Sequence, residues 1–149
     1  MPVNVISISH TEAAIIVAAV IQKATSDGGS PVAVAVVDHA GRLIAFTAMD
    51  NVMPASIKLA QNKAYSAVIG KRDTLYWACM AKNTIQLDFN MRNWTDENFT
   101  GFTGGITILI QEQVIGAVGV SGRKGKQDIK DTILQDHELA ELGRAMIAV

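Results

Sequence analysis

Two stretches constrain this chain's fold more than any others: V-A-V-A-V-V-D-H-A-G-R-L-I-A-F-T-A-M-D (Val32 to Asp50) and G-G-I-T-I-L-I-Q-E-Q-V-I-G-A-V-G-V-S-G (Gly104 to Gly122). Each reads as a β-hairpin. From Val32 to Val37 valine alternates with alanine, a period of two that sends β-branched side chains to one face and small ones to the other. Asp38-His39-Ala40-Gly41 then turns the chain into a return strand, Leu43 to Ala48. In the second stretch Ile106 to Ile110 and Val114 to Val120 flank Gln111-Glu112-Gln113.

Helical patterns surround the hairpins. Ser9-His10-Thr11-Glu12 has the form of a capping box, so a helix is expected from there to about Ser26, with Asp27-Gly28-Gly29-Ser30-Pro31 stopping it. After Asp50-Asn51, Ala55, Ile57, Leu59, Ala60, Ala64, Ala67 and Val68 fall largely on one helical face, with Pro54 tolerated in the first turn. Small residues there suit close packing on a sheet. Lys71 to Phe89 reads as a further helix with Leu75, Tyr76, Cys79 and Met80 as its apolar members. Asn90 to Gly101 reads as a loop bearing Trp94 and Phe99. Asp128 is the expected cap of a last helix carrying Ile129, Ile133, Leu134, Leu139, Leu142 and Met146. The order α-β-β-α-α-β-β-α predicts an α+β, profilin-like sandwich in which two hairpins join in one antiparallel sheet under packed helices. A chain of 149 residues, 49% of them hydrophobic, can bury such a core as a single domain spanning 1–149.

Charge excludes some partners. Thirteen basic against fourteen acidic residues, with no Lys/Arg run interleaved with aromatics, lack the footprint that nucleic acid requires. The longest apolar run, Ala13 to Ile21, is far short of the roughly 20 residues that span a bilayer, so no membrane partner is expected. The first residues lack the pattern of a secretory signal, which predicts a cytoplasmic protein. The single cysteine, Cys79, sits between Ala78 and Met80 and is expected to be buried.

Few residues carry obvious chemistry. His10, His39 and His137 lie in three separate elements without metal-ligand spacing, so no metal site is expected. Ser121 is not in a G-x-S-x-G elbow, and Gly101, Gly104 and Gly105 precede a strand rather than join a strand to a helix, which disfavours a Rossmann-type phosphate loop. Lys63, in A-Q-N-K-A-Y-S-A, either reaches water or offers an ammonium to an anionic ligand. Asp50 either caps the following helix or acts as an acid or base. Trp94 and Phe99 are a loop anchor or a stacking surface.

Taken together, V-A-V-V-D-x-A-G-x-L-I-A-F-x-x-M-D, a helix containing K-A-Y-S-A, then G-G-I-T-I and V-I-G-A-V-G-V-S-G resemble the GlcG/HbpS family, also found as the C-terminal domain of PduO-type proteins. The resemblance covers roughly Val32 to Asp128. It implies a profilin-like sandwich that assembles as a homo-oligomer and binds a small ligand or cofactor: haem, a corrinoid-related molecule or a small organic acid. By position Asp38, Gly41, Asp50, Lys63, Gly104, Gly105, Ser121, Gly122 and Asp128 match its motifs. The chain departs from the family's usual pattern at Ala48, Thr103 and Arg42.

The leading expectation is a ligand site between Gly104 and Gly105, Lys63, and the Ser121-Gly122 strand end, with Trp94 and Phe99 as ligand-binding aromatics. An isomerase or lyase reading uses the same pocket with Lys63 or Asp50 as general base and the Gly104 and Gly105 amides as oxyanion donors. A third makes the chain an accessory subunit whose apolar surfaces serve assembly alone.

Overall fold

The alternation of valine and alanine is resolved by a strand covered on both faces. In the computed structural model, which describes residues 1–83, 94–125 and 132–147, β1 (Ala33–Asp38) is buried along its whole length. It pairs antiparallel with β2 (Leu43–Ala48) and with β4 (Gln113–Ser121), and β4 pairs antiparallel with β3 (Gly105–Ile110). The two hairpins thus form one four-stranded sheet of order β2-β1-β4-β3.

The sheet's two faces have different chemistry. Val34, Val36, Ile106, Ile108, Val118 and Val120 project to one side, where α1 (His10–Ser26) and α4 (Asp136–Arg144) cover them with Ile16, Val20 and Leu139. Each fully buried branched side chain there is worth roughly 1.5–3 kcal/mol before the cost of ordering it. Ala33, Ala35 and Ala117 project to the other side, against Ala60, Ala64 and Ala67 of α2 (Pro54–Gly70). Here the backbones themselves approach. Gly105 and Gly119 are cross-strand partners, and a Cβ on Gly119 would lie 2.1 Å from the Ala60 carbonyl oxygen, while one on Gly105 would lie 2.2 Å from that of Lys63. The glycine pair is a seat on which α2 rests.

Local signals account for several boundaries. The Ser9–Glu12 capping box is formed, with the Glu12 amide donating to Ser9 Oγ at 3.2 Å and the Ser9 amide to Glu12 Oε2 at 3.0 Å. Asp38 organises the first hairpin by accepting from the amides of Ala40 (2.9 Å) and Arg42 (3.0 Å), and Gly41 takes the positive φ of +82° that closes the turn.

Other expectations are corrected. On α2 the buried residues are Ser56, Ala60, Lys63, Ala64, Ser66, Ala67 and Val68, while Ala55 and Ile57 are exposed; the alanines face the glycine seat and Lys63 reaches the Val120 carbonyl beside it. Asp50 does not cap α2, whose N-cap is Met53 with no side-chain bond. The helix read over Lys71 to Phe89 is α3 (Thr74–Asn83), and residues 84–89 lie outside the described residues. Thr74 and Trp77 are its buried members, whereas Leu75, Tyr76 and Cys79 are exposed, so the thiol expected in the core faces outward. α4 begins at Asp136 behind Gln135, which forms a capping box with Glu138, so Ile133 and Leu134 precede the helix; Asp128 and Ile129 lie outside the described residues. Among the described residues no helix is long and apolar enough to cross a membrane.

Candidate functional site

Lys63 and the glycine bend do come together, at a packed junction. Lys63 is 3% exposed, and its ammonium donates to the Val120 carbonyl at 2.9 Å and to Asp136 Oδ2 at 3.1 Å. Burial pushes its pKa down, the facing Asp136 carboxylate pulls it up, and the balance lies below the ordinary lysine value. Gly104, at φ +121°, makes room for this arrangement: a Cβ there would sit 2.5 Å from the Val120 oxygen and 3.1 Å from Lys63 Nζ. The Gly105 amide donates to Thr74 Oγ1 at 2.9 Å and so already has a partner.

Ser121 and Gly122 continue the same seam. Ser121 is 4% exposed and stands opposite Ala33, while Gly122 presses on the Pro31 backbone and accepts from Ser30 Oγ at 2.8 Å. Asp50 is elsewhere. It lies in the exposed turn after β2, the edge strand opposite β3, with β1 and β4 between. Trp94 and Phe99 stack on each other at 4.5 Å, and both meet the edge of Trp77, which ties their loop to α3. A general base on Lys63 or Asp50 with Gly105 as oxyanion donor would thus draw on groups that are paired or far apart.

Sequence reasoning missed the residues that complete this junction. Asp136 Oδ1 accepts from the Arg123 amide at 2.9 Å, and the Arg123 guanidinium bonds Asp27 Oδ1 at 2.8 Å and the Ala24 carbonyl at 3.0 Å. That ion pair is enclosed, its side chains 0% and 1% exposed. Burial alone would raise the Asp27 carboxyl; the amides of Gly29 and Leu134 together with Arg123 outweigh it and hold the group below its ordinary value. Asp27 and Gly29 had registered only as a helix stop.

An open concavity lies on the other side of the first turn of α4. Its cavity of about 510 Å³ is walled by Leu75, Tyr76 and Cys79 of α3, Thr107 and Leu109 of β3, and His137 and Arg144 of α4, with Arg72 and Asp73 at the α2–α3 corner. The volume lies within the range of small-ligand sites. Asp73 Oδ1 accepts from the Thr107 amide (2.8 Å) and hydroxyl (3.0 Å), and Arg144 stands 3.4 Å from the Thr107 carbonyl. The Arg72 guanidinium lies 4.2 Å above the Tyr76 ring. His137 Nε2 is 3.2 Å from Glu141, and its Nδ1 is shielded with no hydrogen-bond partner among the described residues. Among those residues no three His, Cys, Asp or Glu side chains converge as a metal site would need. The available signal in the sequence was the face Leu75, Tyr76, Cys79, which the helical period had assigned to the core.

An antiparallel β2-β1-β4-β3 sheet sandwiched between α2 and the α1/α4 pair is a profilin-like α+β domain. Residues 8–133 match the family model described as haem degrading protein HbpS-like, and the chain belongs to that family. Protein GlcG of Escherichia coli K12 is 34% identical over 114 residues, 76% of this chain and 81% of that protein. The crystal structure of Klebsiella pneumoniae protein ORFY superposes with a TM-score of 0.83 at 30% identity, covering 97% of this chain and 93% of that one. The PduOC:heme complex shares the fold at a TM-score of 0.78 and 22% identity, covering 95% and 96%.

Proposed function

We propose that this protein binds a small organic ligand or cofactor in the cleft between α3, β3 and α4, and acts as a homo-oligomer. The cleft carries the reading because it joins apolar walls to two guanidinium groups, an imidazole and a thiol around roughly 510 Å³ of open space. Haem is the first candidate, since a structural neighbour is a haem complex and the family description names haem.

The donor set fits such a group. Leu75, Tyr76 and Leu109 offer the apolar contact, Arg72 and Arg144 suit propionate carboxylates, and His137 and Cys79 are of the two ligand types that most often hold haem iron. Bound haem would supply iron-centred ligand or electron chemistry at this cleft. The apolar groove between α1 and the β2 edge, lined by Val17, Ala18, Ile21 and Phe46, supports self-association.

Haemin titration tests the haem version. A Soret shift saturating at one equivalent per chain and lost in His137→Ala supports it; no saturable shift with folded protein removes it. Native mass spectrometry of protein purified from its host would then report the subunit number and any other retained ligand, and a ligand-free monomer would end the broader reading.

A further inference from the structure

Arg42 pairs with Asp38, Lys63 with Asp136, Arg123 with Asp27, and Arg144 lies near Asp73 and Glu141, whereas Lys23 and Lys58 stand on the helix faces of α1 and α2 with no carboxylate within ion-pair distance among the described residues. Lys71 and Arg72 differ from those two in where they stand. They are consecutive and exposed, neither has a carboxylate within ion-pair distance among the described residues, and both line a concave bay of roughly 1030 Å³. His39, from the tip of the first hairpin, lines it as well, and its Nδ1 is shielded without a hydrogen-bond partner among the described residues. Apolar walls come from Val5, Leu109 and Val114, and Glu112 and Gln113 stand at the second hairpin's turn.

We propose that this bay is a second binding site, for a small organic phosphate. Lys71 contributes a point charge, Arg72 a fork matched to phosphate oxygens, and His39 a third nitrogen donor, so that donors from two elements converge on one dianionic group. Val5, Leu109 and Val114 provide surface for the organic part, and Glu112 and Gln113 are acceptors for its hydroxyls. An unpaired cation on a convex surface is simply solvated. Lys71, Arg72 and His39 gathered around one concavity are a different observation, because basic groups along a concave wall focus their field on whatever enters it.

Isothermal titration with glycerol 3-phosphate as probe, at low ionic strength and without haemin, tests this directly. One saturable site per chain is expected in the wild type. Affinity should fall at least tenfold in Lys71→Gln/Arg72→Gln and remain within about twofold in Lys58→Gln/Lys23→Gln, a pair of equal charge change on α2 and α1. Glu112→Gln should tighten binding by removing a like charge. Arg72 and Leu109 also line the cleft, so the separating variants are His137→Ala and Arg144→Gln, which alter the cleft alone: phosphate binding should stay intact in both, and its loss there would place the phosphate in the cleft and overturn the bay without touching the haem reading. No saturable heat, or equal losses in the two lysine-containing double variants, would overturn the site.

Discussion

Two regions flank the first turn of α4 and draw on the same residue types, yet they treat them oppositely. At the Lys63 junction every cation meets an acceptor: Lys63 meets Asp136 and Val120, and Arg123 meets Asp27 and Ala24. Glycines 104, 105 and 119 bring backbone against backbone, Gly29 leaves room for the Arg123 guanidinium, and side-chain exposure at the two ion pairs runs from 0% to 16%. In the cleft, Arg72 covers a tyrosine ring, Cys79 faces outward, and His137 lines the wall beside Glu141. The contrast separates two uses of polarity. Enclosed ion pairs hold elements together, whereas polar groups that line an open concavity can be reached by something that arrives later.

Substitutions at the junction should therefore cost stability, beginning with Arg123. Arg123→Met leaves Asp27 enclosed without its guanidinium, and removing one member of a buried pair costs about 3–5 kcal/mol. Urea denaturation should show a loss in that range, and a loss under 1 kcal/mol would put the pair on the same footing as a surface bridge. Gly119→Ala follows, at about 3 kcal/mol, because its Cβ would meet the Ala60 backbone and α2 would have to lift. The same measurement reads it.

The Asp27 pair also fixes a pH dependence. A carboxyl whose folded pKa lies below its unfolded value of about 3.8 adds stability that is fully present above that value and lost as pH falls through the folded one. Wild type and Arg123→Met should converge in stability as the pH is lowered beneath the ordinary carboxylate range. Lys63 behaves oppositely: its lowered pKa makes the charged form costly, so that contribution to stability rises as pH climbs from the folded value toward 10.5. Denaturation profiles of Lys63→Met should lack this alkaline rise.

Much of the fold was legible because periodicity and turn chemistry are local. V-A-V-A-V announced a two-faced strand, the Ser9 box announced α1, and alanines on α2 announced a close helix–sheet contact. The site was legible only as a neighbourhood. Lys63 and Gly104 were rightly placed side by side, but whether an ammonium faces a ligand or a carboxylate depends on Asp136, 73 residues further along. Nothing local in D-H-E-L marks that aspartate as the partner of a lysine on another helix. α3 misled for a related reason: Leu75, Tyr76 and Cys79 satisfy a helical period, but the period names a face without saying what covers it.

The smallest expected effects are in the cleft, and they bear most on function. His137→Ala removes a partly exposed group and should change unfolding free energy by no more than about 0.5 kcal/mol, whereas Tyr76→Ala, which gives up the Trp77 edge contact and the Arg72 contact, should cost about 1 kcal/mol. Cys79, being exposed, should react with a thiol reagent in the native protein at a rate near that of the unfolded chain. If the cleft receives the ligand, saturating ligand should slow that labelling in wild type and fail to do so in His137→Ala, although both proteins are equally stable. Junction variants with residual fold should still show protection. Protection that tracks stability rather than cleft composition would mean the two regions are one cooperative unit, and the division drawn between them would fall.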